Sequence, residues 1–441
     1  MRFGTDGVRF NLETDQFSVE KLNRFCMSIA EYLIAKGGRN IRVALAHDTR
    51  SSCEAIKHLI VSNLLFLGID VDDLGVMSTG ILGAVIPKLG YNFGIVVSAS
   101  HNPSHYNGIK LFDEKGFKLS KEDEAVIEQI FEEKSIVFKA GKFGSYRKKD
   151  GLNIAVNFVL SLFQDINLSG KKIVLDCANG SHSLLAERIF KELGGKVTSI
   201  GNQPNGANIN ETGCIQPSRW VEVVRVMAPD LAFCFDGDGD RCYSATNAGR
   251  ILDGDYSLAI LSYCRDKIFS KDIKGVVATV ASNSALEELV NRLGLQFKRA
   301  PVGDRNVFQE MIKSKFLLGG EQSGHTIIGE LNFLADGLVT ALLLSKLTML
   351  LNNDLTELAS CFNPYPQKIF NYPLKLKTDF YEEYELSTLL ETLKKQGVKV
   401  LPRYSGTEPL LRLIIEARDE SSIFDAEKKL SSVLKRLNII E

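Results

Sequence analysis

Short apolar runs of strand length alternate along the chain with longer stretches whose apolar residues recur every three or four positions. Runs at 41–46, 172–176 and 275–280 each lead through a small polar loop into a helical pattern that stops near a glycine: Gly68, Gly194 or Gly294. The loops are Asp48-Thr49-Arg50-Ser51, Asn179-Gly180-Ser181 and Ala281-Ser282-Asn283. Ile56, Leu59, Ile60 and Leu64, like Leu286, Leu289, Val290 and Leu293, fall on one helical face and are read as core. Three such units predict three α/β domains with helix-covered sheets. Asn363-Pro364-Tyr365-Pro366 interrupts the pattern and predicts a linker to a smaller C-terminal α+β domain. The expected boundaries are 1–150, 151–250, 251–364 and 365–441.

Two further apolar runs end in polar loops with chemical potential. The run at 93–97 opens into Ser98-Ala99-Ser100-His101-Asn102-Pro103, rich in turn formers, which places the Ser100 hydroxyl beside His101 at an exposed strand end. A Ser-His pair also fits an ordinary turn, and no Gly-x-Ser-x-Gly elbow surrounds it. The run at 231–235 ends in Asp236-Gly237-Asp238-Gly239-Asp240-Arg241. Alternate residues of an extended chain share a side, so the three carboxylates are expected to converge on a cation, and hard oxygen donors favour Mg²⁺ or a similar ion over zinc. An EF-hand is excluded, because Arg241 and Asn247 stand where its glycine and glutamate belong. Cys242 stands where a dinucleotide fingerprint needs its third glycine. The competing reading is a solvated acidic turn, although carboxylates crowded at the end of a buried strand repel unless neutralised.

Two glycine-framed loops add partners. Gly319-Gly320-Glu321-Gln322-Ser323-Gly324-His325 offers a carboxylate, a hydroxyl and an imidazole to a hydroxyl-rich ligand, and equally fits a plain turn. Arg403-Tyr404-Ser405-Gly406-Thr407-Glu408-Pro409, with Arg412, offers two guanidiniums, hydroxyls and glycine-adjacent amides, the makings of a phosphate cradle. Ser405 and Glu408 could form a capping box, but 410–415 reads as a strand and leaves no helix to cap.

In this order, and with Phe3-Gly4-Thr5-Asp6-Gly7-Val8-Arg9 at the start, the loops resemble the α-D-phosphohexomutase family over nearly the whole chain. Gln322 and the N-terminal segment look like the bacterial phosphoglucosamine mutase branch, since phosphomannomutases and phosphoglucomutases of the family often carry Met at that place. The resemblance implies three related α/β domains and a different fourth around a central cleft, with mixed sheets. It implies that Ser100, as a phosphoserine, passes its phosphoryl group to glucosamine 6-phosphate. The bisphosphate then turns around and returns its other phosphate, leaving glucosamine 1-phosphate on the route to UDP-N-acetylglucosamine and cell-wall precursors. One Mg²⁺ per chain would lie between Asp236, Asp238, Asp240 and the Ser100 phosphate. A phosphoserine carries about −1.5 to −2 charge, and each like charge ~4 Å away costs about 4 kcal/mol at an effective dielectric near 20, so such a cation removes a repulsion that would otherwise defeat binding of a second phosphate. His101 and Lys110 are both implied as active-site groups, either of them the base, and Arg9 and Arg241 would support phosphate. Glu321, Ser323 and His325 would meet the sugar, while Arg403, Ser405, Gly406, Thr407 and Arg412 would grip the phosphate that is not reacting. Closure of the C-terminal domain would protect the turning bisphosphate from water.

The sequence departs from the family pattern in three places: Phe10 follows Arg9 where Gly is usual, Gly213-Cys214-Ile215-Gln216-Pro217-Ser218 lacks a His and a Glu, and Thr79-Gly80 lacks a Pro. A phosphoglucomutase or phosphomannomutase is the runner-up; a phosphatase would not need the second cradle, and an idle sensor would not need Ser100 with three aspartates.

Composition narrows the setting. A net charge of −1 over 441 residues gives no global attraction for nucleic acid, so anion binding falls to local arginines. Eight cysteines without Cys-x-x-Cys spacing predict reduced thiols in the cytoplasm. The start has no secretory apolar stretch, and Ser345 and Lys346 break the long apolar run at 338–351, so no membrane association is expected. The expected partners are a sugar phosphate, an activating phosphate donor or kinase, and further copies of the chain.

Overall fold

Each of the three predicted strand, loop and helix units takes its place in a separate sheet. The computed structural model describes residues 1–4, 6–14, 17–38, 40–133, 142–404 and 409–441. The first sheet has the order Val8–Asn11, Tyr106–Phe112, Phe93–Val97, Arg42–His47, Asp70–Val76, Tyr146–Lys148. The second runs Ile251–Leu252, Cys242–Ala245, Leu231–Phe235, Lys172–Asp176, Lys196–Ile200, and the third Gln296–Ala300, Gly275–Thr279, Leu318–Gly320, Thr326–Ile328, Leu334–Ala335. All three are mixed and flanked by helices. The fourth, smaller sheet is wholly antiparallel, Gln367–Pro373, Leu410–Glu416, Lys399–Tyr404, and carries the helices Tyr384–Lys395 and Glu420–Arg436.

One strand in each mixed sheet has a parallel neighbour on one side and an antiparallel neighbour on the other. These strands are Phe93–Val97, Leu231–Phe235 and Leu318–Gly320. The chain leaves the carboxyl end of each one into the Ser100, Asp236 and Glu321 loops respectively, the place where α/β sheets bind ligands.

The apolar faces read from the sequence are core. Ile56, Ile60, Leu64, Leu286, Leu289 and Val290 are buried, while Leu59 and Leu293 sit half-buried at the edges of their clusters. The run at 338–351 becomes the buried helix Gly337–Leu351, capped by Asp336, whose Oδ1 accepts from Leu338 N at 3.0 Å and Val339 N at 3.2 Å. Among the described residues no helix is long and apolar enough to cross a membrane. The eight cysteines are free thiols.

The 281–284 loop of the third unit meets the C-terminal one. Asn283 exchanges two hydrogen bonds with Tyr365: its Nδ2 donates to Tyr365 O at 2.9 Å and its Oδ1 accepts from Tyr365 N at 3.0 Å. Lys399 Nζ donates to Ser282 O at 2.7 Å, and Glu416 Oε1 accepts from Ser284 N at 3.0 Å. Beneath this junction Asp255 Oδ2 accepts from Asn283 N at 2.7 Å. Burial, and then the charge of Asp253, push Asp255 up to about 7. A carboxyl whose folded pKa exceeds its unfolded value of about 4 keeps a proton in the folded state that the unfolded chain has released. Its contribution to stability therefore falls as pH rises from about 4 to about 7. Asp255→Asn is expected to remove a pH-dependent loss on the order of 1–3 kcal/mol, measured as the change in urea midpoint between about pH 5 and about pH 8 in both proteins.

Candidate active site

Ser100 was expected at an exposed strand end, but its side chain is buried, because the loop of the second sheet folds over it. It is held at φ 52°, a left-handed conformation that costs a non-glycine residue on the order of 1 kcal/mol and persists only where the surroundings impose it. The imposing group is Arg50. Its five N–H donors are all engaged: Nε with Asp48 Oδ2 at 2.9 Å, Nη2 with Ser100 O at 2.9 Å and Asn102 O at 2.8 Å, and Nη1 with Tyr106 O at 2.9 Å and with Pro103 O. Asp48 Oδ2 also accepts from Ser98 Oγ at 2.6 Å, and that oxygen in turn accepts from Ser100 N at 2.9 Å. The Ser100 Oγ lies 3.4 Å from Asp236 Oδ2 and 3.4 Å from His101 Nδ1.

The acidic loop converges as expected, though by a different geometry. Only the residues up to Phe235 are extended; Asp236 to Asp240 form a turn with Gly239 at φ 76°, where a Cβ would come within 2.5 Å of His182 Nε2. One oxygen from each of Asp236, Asp238 and Asp240 falls within 4.8 Å of the others, and all three residues are buried. Burial and repulsion from Asp240 and Asp238 push Asp236 up to about 7. Asp238 Oδ1 has no hydrogen-bond partner among the described residues. Hard oxygens, mutual repulsion and an unpartnered carboxylate atom fit a small divalent cation.

Lys110 lies fully buried against this loop, its Nζ 2.6 Å from both Asp238 Oδ2 and Asp6 Oδ2 and 3.8 Å from Asp240 Oδ2. Burial works against its charge, but Asp238, Asp6 and Asp240 outweigh burial and raise its pKa above the ordinary lysine value. His101 is the opposite case: burial, then the guanidiniums of Arg241 and Arg9, push it down to about 3. Its Nδ1 accepts from Arg241 Nη2 at 2.9 Å. Arg9 donates to Asn102 Oδ1 and to Asp6 Oδ2, each at 2.9 Å. The buried Nε atoms of Arg9 and Arg241 have no hydrogen-bond partner among the described residues, which suits them to an anion. At neutral pH the pocket therefore holds a neutral imidazole, a fixed ammonium and two guanidiniums around the Ser100 hydroxyl.

The third sheet supplies an ion-pair chain. His325 Nε2 lies 2.9 Å from Asp240 Oδ1, without the alignment of a hydrogen bond, and its Nδ1 lies 2.9 Å from Glu321 Oε2. Burial opposes its charge, but Asp240 and Glu321 raise its pKa well above the ordinary histidine value. Both ring nitrogens are thus taken by carboxylates, and His325 ties the Glu321 loop to the acidic loop. Glu321 Oε1 accepts from Gly303 N at 2.9 Å, and Ser323 Oγ lies 3.4 Å from His325 Nδ1. In the C-terminal sheet Arg403 and Arg412 are direct cross-strand partners and both are exposed. Ser405, Gly406 and Thr407 lie outside the described residues.

Sequence reading missed several members of this assembly. Asp48 and Arg50 were visible only as polar loop residues, and Asn210 only as a neighbour of a divergent stretch. Thr79 donates to Asp238 Oδ2 at 2.5 Å, and Lys118 spans Asp6 Oδ1 and Asp304 Oδ2 at 2.5 Å each. The glycine where the family pattern has Pro finds a reason here: a Cβ on Gly80 would come within 2.2 Å of Ala335 O.

Known proteins resemble this chain in sequence and in fold. The family described as phosphoglucomutase/phosphomannomutase, alpha/beta/alpha domain I, matches residues 1–137, and its alpha/beta/alpha domain III matches residues 253–365. The phosphoglucosamine mutase of Citrifermentans bemidjiense is 37% identical over 436 residues, covering 96% of this chain and 94% of that protein. A phosphoglucomutase/phosphomannomutase family protein from Burkholderia thailandensis has the same fold, with a TM-score of 0.79 at 21% identity, covering 98% of this chain and 97% of that one. So does Aspergillus fumigatus N-acetylphosphoglucosamine mutase, solved in complex with GlcNAc-6P and magnesium, with a TM-score of 0.66 at 14% identity over 98% of this chain and 95% of that one.

Proposed function

The chain belongs to the α-D-phosphohexomutase family, and from that premise we propose that it interconverts glucosamine 6-phosphate and glucosamine 1-phosphate through phosphorylated Ser100 and a bisphosphate intermediate. It is an enzyme of the isomerase class, an intramolecular phosphotransferase in its net effect. The observation that carries the reading is the Ser100 Oγ 3.4 Å from Asp236 Oδ2, its loop clasped against a triad of buried aspartates. The amino sugar is supported by the relative named phosphoglucosamine mutase at 37% identity.

Asp236, Asp238 and Asp240 would hold Mg²⁺, whose chemistry is to neutralise charge on the phosphoryl oxygens; the magnesium in the fungal neighbour supports that choice. Arg9 and Arg241 bind oxygens of the group in transfer. His101, neutral and beside Ser100, takes the proton of the attacking sugar hydroxyl once Arg241 turns to phosphate, while Lys110 keeps its proton and fixes the Asp238 carboxylate. Glu321 and Ser323 orient the sugar, with His325 holding Glu321 in place. Arg403 and Arg412, with Ser405, Gly406 and Thr407, grip the distal phosphate, so that turning the intermediate exchanges the two ends between fixed anion sites. An outside phosphate donor or kinase charges Ser100 for the first cycle, in a cytoplasmic setting that suits the free thiols.

Steady-state kcat/KM on glucosamine, glucose and mannose 6-phosphates with Mg²⁺ tests the reading. Glucosamine 6-phosphate is expected to lead by about tenfold or more, a difference of about 1.4 kcal/mol in transition-state binding. Free phosphate appearing without the 1-phosphate isomer would make the protein a phosphatase, and a lead for glucose or mannose would move it to another branch of the family.

A further inference from the structure

Asn210 occupies the seam between the serine loop and the acidic loop. Its Nδ2 donates to Ser100 O at 2.8 Å and to Asn102 O at 3.0 Å, and its Oδ1 accepts from Gly237 N at 2.8 Å. One carboxamide therefore spans from the carbonyl of the reacting residue to the amide between two of the three aspartates. The same two carbonyls are held from the other side by Arg50. Arg50 belongs to the same sheet unit as Ser100, whereas Asn210 comes from the unit that carries the acidic loop.

We infer that Asn210 is a positioning residue for phosphoryl transfer, setting the separation between the Ser100 hydroxyl and the aspartate triad across the seam. The packing leaves little other means of doing so. A Cβ on Gly237 would come within 2.7 Å of Asn210 Nδ2 and 2.8 Å of Ser100 O, so the two loops approach backbone to backbone, and the Asn210 carboxamide bonds to the main chain of both. The residue type fits. Asn210 is held at φ 64°, a left-handed conformation that asparagine tolerates better than most residues. Its amide supplies two donors to the two carbonyls and one acceptor to the one N–H, which no other side chain of that length matches. It is buried, and its own N–H donates to Ala178 O at 2.9 Å, so the carboxamide is anchored from behind. Transfer demands that donor, acceptor and charge lie in line, and a misplacement of about 1 Å costs about 100-fold in rate. The Asn210 carboxamide is committed to main-chain groups and the residue is buried, so its loss is expected to fall on the rate of transfer and to leave substrate binding alone.

The inference rests on the mutase reading, and its test keeps the two apart. Asn210→Gly removes the carboxamide without left-handed strain, and Asn210→Asp keeps the acceptor for Gly237 while removing both donors. Label loss from enzyme phosphorylated on Ser100 with ³²P is followed in a single turnover with saturating glucosamine 6-phosphate, beside steady-state kcat and KM. Both variants are expected to transfer about 100-fold more slowly, with KM within about threefold of the parent and the melting transition retained. A folded variant of either kind that transfers within about threefold of the parent overturns the inference, as does a loss confined to KM. Should either variant fail to fold, the other decides. If the parent itself never passes label from Ser100 to sugar, the mutase reading fails first.

Discussion

Ser100→Ala is expected to abolish isomerisation, lowering kcat by ~10⁴-fold or more, because the phosphoryl carrier itself is gone and no neighbouring group can take its place. The loss should come without unfolding. The Ser100 hydroxyl makes two long contacts, at 3.4 Å each, and alanine carries the same Cβ into the φ of 52°, so the backbone strain is unchanged. Arg50 and Asn210 grip the main-chain carbonyl and are indifferent to the side chain. A melting temperature within a few degrees of the parent, with no 1-phosphate formed, is the expected pair of results. Isomerisation at the parental rate would leave no role for a phosphoserine.

Lys110→Met should damage both stability and activity. The substitution leaves the buried Asp238 and the half-buried Asp6 without an ammonium 2.6 Å away, and breaking a buried ion pair from one side typically costs about 3–5 kcal/mol. Asp6 retains Lys118 and Arg9, so Asp238 bears most of the loss. Combining Lys110→Met with Asp238→Asn removes both members of the pair and is expected to recover most of the urea midpoint, because a neutral amide can be buried where a lone carboxylate cannot. Activity should not recover, since Asp238 belongs to the triad. A single Lys110→Met variant as stable as the parent would show that Asp238 is neutralised by something other than Lys110.

The strand runs were legible because apolar sequences bounded by turn formers have few alternatives. Runs 93–97, 172–176 and 231–235 emerge as strands with those limits. The convergence of Asp236, Asp238 and Asp240 was legible too, but the stated reason was not the operating one. The chain turns through Gly239 instead of staying extended, and residue alternation does not distinguish the two. The burial of Ser100 was hidden because it depends on Asn210 and Gly237, more than a hundred positions away and brought over it only when the sheets dock. Arg50 was hidden for the opposite reason: it stands in a loop of ordinary polar composition, and only its five donors to one loop and Asp48 reveal what it holds. Charge at His101 and His325 could not be read either. One is held neutral by burial and by the guanidiniums around it; the other is buried too, but two carboxylates outweigh the burial and hold it charged.

The reciprocal hydrogen bonds between Asn283 and Tyr365, at 2.9 and 3.0 Å, pin the chain two residues before the C-terminal sheet begins at Gln367. With so short a free tether, and with Lys399 and Glu416 also bonded to the 281–284 loop, the sheet that carries Arg403 and Arg412 is restricted in how far it can swing. In the proposed reading their grip on a phosphate would then be an intramolecular event governed by effective concentration instead of a fresh encounter. A turning bisphosphate that let go of one end would then meet a tethered cradle instead of one that had to return from solution.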